Sequence, residues 1–191
     1  MNPLNDLGYK PDDLTVQVTE LLVATADASD ELVDQSVSQV LRLLRDRMKM
    51  DVVFVSEFTD GQRVMRQVAA GDPPVVKPGD AAPLEASWCQ RVVDGRLPRF
   101  IADARALSAS AALLKDVPFP IGTHISTPIV LQSGDIYGTL CCFSFHAQGK
   151  PDPEDLKKLE FTARLAAQKL DQRRVVRKAP ESVPDWQLRP K

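Results

Sequence analysis

The sequence predicts an α+β fold, a central antiparallel sheet with helices packed on its faces. Three observations carry this. Between Thr123 and Phe145, two apolar runs (125–131 and 136–145) rich in Val, Ile, Thr, Tyr and Phe flank the polar break Gln132-Ser133-Gly134-Asp135, which reads as strand, tight turn, strand. A second strand pair, 51–58 and 63–70, surrounds Thr59-Asp60-Gly61-Gln62, where Asp-Gly is a strong hairpin signal. Apolar residues at helical spacing bracket these strands at both ends of the chain.

In chain order, residues 1–11 show no periodicity and are expected to be a flexible arm. Asp12 and Asp13 then open a first helix to about residue 24, with Leu14, Val18, Leu21 and Leu22 on one face. Ser29 and Asp30 offer caps for a second helix, 31–48, whose broad stripe is Val33, Val37, Val40, Leu41, Leu44 and Met48. The first hairpin follows, then a loop from Gly71 past Pro78-Gly79. Residues 84–93 read as a short helix ended by Gly95, with Trp88, Cys89, Val92 and Val93 on its apolar side. A short strand at 99–102 and a partly helical stretch at 103–116, stopped by Pro118 and Pro120, lead into the central hairpin. There Pro128 cannot donate to a ladder, so its strand should lie near an edge or bulge, and Gly138 should mark a bulge or a close backbone approach. Asp152 and Pro153 open the last helix, with a heptad-like seam of Leu156, Leu159, Ala163, Ala166 and Leu170. Residues 172–191, basic and proline-containing, read as a linker or tail after a single domain spanning 12–171.

Composition narrows the function classes. The chain has 191 residues, 43% hydrophobic and 26% charged, which suits one soluble domain with a real core. A net charge of −2 gives no bulk attraction to nucleic acid or anionic membrane. The N-terminus lacks a secretion signal, and no apolar run is long enough to span a bilayer. The odd set Cys89, Cys141 and Cys142 is no disulfide framework, so a cytoplasmic protein with reduced thiols is expected.

The pattern Thr-Pro-Ile-Val-Leu, a polar turn, then Ile-Tyr-Gly-Thr-Leu-Cys-Cys-Phe-Ser resembles the paired central strands of a GAF domain. The order of elements extends that resemblance from about residue 32 to 170 and implies a GAF/PAS-like sheet. The chain looks most like bacterial GAF modules that sit beside cyclic-dinucleotide enzymes and other signalling outputs. The resemblance implies a sensory or regulatory role, a small-molecule pocket between the sheet and the helix-loop layer crossing it, and a homodimer through the first and last helices. It also implies a separate output protein, because the chain holds no helix-turn-helix, kinase or cyclase motif. The pocket residues it implies are Phe54, Ser56, Trp88, Cys89 and Val92, with polar contacts from Asp103, His124, Ser126 and Cys142.

Several chemistries lack their motifs. The nine glycines form no G-x-G-x-x-G or P-loop, and no G-x-S-x-G elbow occurs. There is no C-x-x-C and no Cys/His set at zinc spacing. The Asn-Lys…Phe…Asp-Glu signature of cyclic-nucleotide GAF domains is missing, and residues 103–122 hold no cysteine for a covalent bilin. GAF-fold methionine sulfoxide reductases place a cysteine after a histidine where this chain reads His124-Ile125-Ser126-Thr127. Adjacent strand residues face opposite ways, so Cys141 and Cys142 do not form a two-thiol centre. The expected function is therefore non-catalytic: binding of a ligand of unknown identity, or redox sensing at Cys89. A thiol enzyme and a purely structural dimerisation module are the alternatives. A buried cysteine packing as a small hydrophobe, a histidine bonded to backbone and a filled core are the plain readings against which these stand.

Overall fold

The computed structural model describes residues 17–18, 30–149 and 152–178. The expected arm, most of the first helix and residues 179–191 of the tail lie outside the described residues. Residues 17 and 18 are helical, and Val18 is buried in the domain's own core.

Helix α1 (Asp30–Arg47) leads into strand β1 (Val52–Thr59) and its hairpin partner β2 (Gln62–Ala70). Asp60 and Gly61 both take positive φ, 51° and 71°, the backbone of a two-residue turn whose twist matches the strands. A three-residue edge strand β3 (Ala81–Pro83) then pairs with Gln62–Val64, where the sequence showed only loop. The helix expected over 84–93 is split. Leu84–Ala86 forms a 3-10 turn, and Ser87 is extended, its side chain accepting from the Gln90 N–H at 3.1 Å to cap α2 (Trp88–Val93). After β4 (Phe100–Ile101) come the single turn α3 (Ser108–Ala111) and the 3-10 turn Leu113–Asp116. The central hairpin is β5 (His124–Val130) and β6 (Ile136–Phe143), and α4 (Glu154–Lys178) closes the fold. That helix has 25 residues and absorbs 172–178, which the sequence reading gave to the tail. Arg and Lys are good helix formers, and no breaker intervenes before Pro180.

The six strands form one antiparallel sheet in the order β3-β2-β1-β6-β5-β4, so the fold is the expected α+β architecture. The local expectations at Pro128 and Gly138 hold. Ser126 N–H donates to Arg99 O on the β4 side, and Pro128, two residues on, lies past the end of β4 where no ladder bond is needed. A Cβ at Gly138 would collide with the Ser56 carbonyl on β1.

Register fixes which side chains share a face. Val52, Phe143 and His124 stand in one cross-strand row, and Phe54, Cys141 and Ser126 in the next. Their neighbours Val53, Cys142 and Ile125, then Val55, Leu140 and Thr127, point the other way. The second set meets α1 and α4 in a core containing Leu41, Leu44, Ile125, Leu140 and Leu159. Each such side chain contributes about 1.5–3 kcal/mol by leaving water. The α4 seam serves this core: Leu159 and Ala163 are buried in it, and Leu156 and Leu170 pack partly against it. The first set faces α2 and the loops, where a second apolar cluster forms.

Candidate functional site

That second face is incompletely filled. Between the sheet, β3, α2 and the 113–121 segment lies a cavity of about 510 Å³. Its apolar wall includes Phe54, Met65, Val76, Leu113, Phe119 and Phe143. Phe119 stacks on Phe143 with ring centroids 5.3 Å apart. Size and lining fall in the range of small-molecule sites.

Among the polar side chains that break the apolar lining, four present nitrogens. Trp88 and Arg91 lie three residues apart on α2, hence on one helical face. His124 opens β5, its ring 5.2 Å from that of Trp88. Arg63 reaches the cavity through a bulge. Val55 pairs with Gln67 but Ser56 pairs with Met65, so Arg66 is the extra residue. Beyond it Arg63 and Met65, rather than Val64, continue the face set by Val68. Arg63 Nε, Trp88 Nε1, Arg91 Nε and His124 Nδ1 are all buried, and each lacks a hydrogen-bond partner among the described residues. No ion pair joins Arg63 or Arg91 to a carboxylate there. Asp80 and Asp116 also border the cavity but are exposed, and Asp80 accepts from the Lys77 N–H at 2.7 Å. Burial lowers the His124 pKa to about 4, so its imidazole is neutral at pH 7.

Beside Trp88 the cavity touches a buried thiol pair. Cys89 Sγ on α2 and Cys141 Sγ on β6 are 3.6 Å apart. Ser126 Oγ lies 2.9 Å and Thr139 Oγ1 3.1 Å from Cys141 Sγ, while Ser56 Oγ is 4.0 Å from Cys89 Sγ and 2.9 Å from Thr139 Oγ1. The hydrogen bond from Cys141 favours the Cys89 thiolate, and Arg63, Thr139 and Ser56 assist against the opposing effect of burial; together they bring Cys89 down to about 6. Burial, then the hydrogen bond to Cys89 and the charge that builds there, push Cys141 the other way. The pair therefore carries one readily formed thiolate, on the cavity side. Among the described residues no group of three or more His, Cys, Asp or Glu side chains stands where a metal could be held.

A sheet of this order, with two helices on one face and a cavity under a helix-loop layer on the other, meets its relatives at this point. A profile of the GAF domain family matches residues 26–171. The chain belongs to the GAF domain family. Solved structures share its fold at low identity. The phycoerythrobilin-bound GAF domain from a cyanobacterial phytochrome is 14% identical, covers 88% of this chain and 100% of its own, and has a TM-score of 0.69. The GAF domain of an Acinetobacter phosphoenolpyruvate-protein phosphotransferase is 12% identical over 87% of this chain and 98% of its own, with a TM-score of 0.65. The free methionine-R-sulfoxide reductase from Neisseria meningitidis, in complex with its substrate, is 14% identical over 88% and 96%, with a TM-score of 0.65. These likenesses concern the fold. No curated protein matches the chain. Among the described residues no helix is long and apolar enough to cross a membrane.

Within this GAF domain the expected site residues divide. Phe54, Trp88, Cys89 and His124 line the cavity. Ser56 and Ser126 lie on the cavity face but beneath its floor, bonded to Thr139 and Cys141. Val92 packs in the adjoining apolar cluster without reaching the cavity. Two expectations are corrected. Cys142 faces the α1/α4 side, because strand alternation that brings Cys141 in turns its neighbour out; there burial holds its thiol far above the usual range. Asp103 is spent on its own loop, where Oδ1 accepts from the Arg105 N–H at 2.9 Å. Sequence reasoning missed Arg63, Arg91 and Cys141. The i, i+3 spacing of Trp88 and Arg91 was available as a signal, and so was the alternation that separates Cys141 from Cys142. The bulge that carries Arg63 inward had no sequence mark.

Proposed function

We propose that this GAF domain is a non-catalytic regulatory module that binds a small molecule in the cavity and passes the occupied state to a partner through its terminal helices. One observation carries the reading: four buried nitrogens without partners belong to four residues lining one apolar cavity. Buried polar groups are almost always satisfied, and an orphan costs about 1–3 kcal/mol. A group of orphans at one cavity is what a site awaiting its ligand looks like. Transmission has a short route. Cavity residues Phe54 and His124 sit next in sequence to Val53 and Ile125 in the α1/α4 core. A ligand that changes strand position on one face must repack the other, provided it favours one of two helix arrangements. A homodimer through the terminal helices and a separate output protein in the cytoplasm belong to this proposal, and the length of α4 supports it.

The test is a small-molecule screen by thermal shift on the native protein and on Leu113→Trp, which fills the cavity. Ligands that raise the melting temperature of the native protein should lose their effect in the variant, with circular dichroism reporting its fold. They should also change amide exchange in α1 and α4. Hits that act equally on both proteins would contradict the reading.

A second reading is favoured by the 3.6 Å separation of Cys89 and Cys141. A hydroperoxide would be attacked by the Cys89 thiolate. The O–O bond breaks, sulfur gains OH, and the alkoxide or hydroxide leaves and takes up a proton. The Cys141 thiol then displaces water from the sulfenic sulfur and closes a disulfide. On this reading peroxide removes two hydrogens from the intact mass, and Cys141→Ser leaves a trappable sulfenic acid at Cys89. A peroxide-treated protein with three titratable thiols would exclude it.

A further inference from the structure

We propose that the cavity takes a small organic anion, a carboxylate or related oxyanion on an apolar body, received by Arg63, Arg91 and Trp88. This rests on the ligand-binding reading and names the chemistry of the ligand. Arg63 and Arg91 are permanently charged, half-buried, and without a carboxylate partner among the described residues. Water in the cavity can satisfy an N–H, and the Cys89 thiolate offsets part of the charge on Arg63, but one thiolate does not balance two guanidiniums among aromatic walls. The indole of Trp88 is a donor only, and the side chain is 8% exposed. These three side chains therefore ask for an acceptor, and a cation would be repelled by two guanidiniums. His124, 2% exposed and neutral at pH 7, presents either a hydrogen or a lone pair at Nδ1, so it accommodates a ligand oxygen or a ligand hydroxyl.

Besides the Cys89 thiolate, which Arg63 favours, opposing charge at the cavity comes from Asp80 and Asp116. Both are exposed at its border, and Asp80 is engaged by the Lys77 N–H. The inner donors are cationic and the outer rim is anionic, which orients a bound anion with its charged end inward and its apolar body towards the rim. Met65, Phe119 and Phe143 supply the surface for an apolar body. Guanidinium meets carboxylate or phosphonate oxygen with two parallel hydrogen bonds, which gives orientation as well as attraction.

The indole proton of Trp88 reads this directly. The chain has two tryptophans, so an ¹⁵N–¹H correlation spectrum holds two indole resonances, and Trp88→Phe assigns the one from Trp88. Benzoate, phenylphosphonate and benzamide are titrated in turn at fixed ionic strength. The expected result is a saturable downfield shift of the Trp88 indole proton with benzoate or phenylphosphonate, and which of the two binds better separates carboxylate from phosphoryl recognition. Benzamide, of the same shape and no charge, should bind at least about tenfold more weakly, and Arg63→Gln with Arg91→Gln should weaken the acids by a similar factor. Arg91→Lys, which keeps charge but loses the fork, should fall between, and an unchanged fold by circular dichroism validates each variant. If benzamide equals the acids, or the double variant binds them undiminished, the anion inference is overturned while the cavity still binds ligands. If none of the three probes moves the Trp88 resonance, the inference and the cavity-binding reading both fall.

Discussion

The two faces of the sheet are built from the same strands, one residue out of phase. Against α1 and α4, side chains such as Leu140, Ile125 and Leu159 are fully buried and mutually packed. Against α2 and the loops, the alternate positions surround open space and carry donors with nothing to donate to. Cys141 and Cys142 put the difference in two adjacent residues. Both are fully buried, yet Cys141 belongs to a chain of hydroxyl and thiol contacts leading to the cavity, while Cys142 is an inert part of a hydrophobic core. One face is closely packed, and the other leaves open space and buried nitrogens without partners among the described residues.

The sharpest way to break this comparison is to truncate one side chain on each face. Leu140→Ala should cost about 3–5 kcal/mol in urea unfolding, because its neighbours cannot close the hole. Met65→Ala should cost less, under about 2 kcal/mol, because Met65 already borders empty space and has fewer packing partners to lose. Equal losses would mean that the cavity face is packed like the other.

Next in size is an effect of pH. His124 has its pKa lowered to about 4 by burial, so the folded state binds its proton less readily than the unfolded chain, where the ordinary value is 6.5. Stability is fully present above about 6.5 and is lost as pH falls towards about 4, by on the order of 2–3 kcal/mol. The measurement is the difference between native and His124→Gln unfolding energies at pH 7 and pH 4.5. A difference that does not change with pH would show that His124 is hydrated.

The thiols sharpen the contrast further. An alkylating reagent at pH 7 should modify Cys89 first, since it touches the cavity and its thiolate is favoured, and should leave Cys142 intact in the native state. A rate ratio of at least about tenfold, read by peptide mass analysis, is expected from the opposite pKa shifts of the two thiols. The smallest effect belongs to neither face. Arg99 and Glu160 form an ion pair of 2.9 Å near the rim of the domain, and Arg99→Ala should cost under about 0.5 kcal/mol and respond to salt.

The fold was legible because its signals are local. The Asp60-Gly61 turn, the Gln132–Asp135 break and the helical stripes each rest on a few neighbouring residues, and they agree with one another. What escaped was non-local. The edge strand Ala81–Pro83 has no pattern of its own and exists because Gln62–Val64 offers it an edge. Half of the site followed from the positions of β1, α2 and β5, giving Phe54, Trp88, Cys89 and His124. The charged half did not. Arg63 points inward only because a bulge at Arg66 reverses the alternation of β2, and an arginine in a strand reads by default as solvent-facing. Cys142 was misplaced through a choice between two adjacent cysteines that register alone decides.

The central claim is that this face holds unsatisfied charge for a ligand at a cost to the empty protein. It is tested most directly by urea unfolding of the ligand-free chain with Arg63→Met and Arg91→Met together. Methionine keeps most of the length and apolar stem while removing the orphaned donors and the charge. The account expects the double variant to be more stable than the native protein, by about 1–2 kcal/mol. A variant less stable by a similar margin would show that both guanidiniums are already satisfied where they stand, and the cavity would then be part of the structure rather than a place kept for something else.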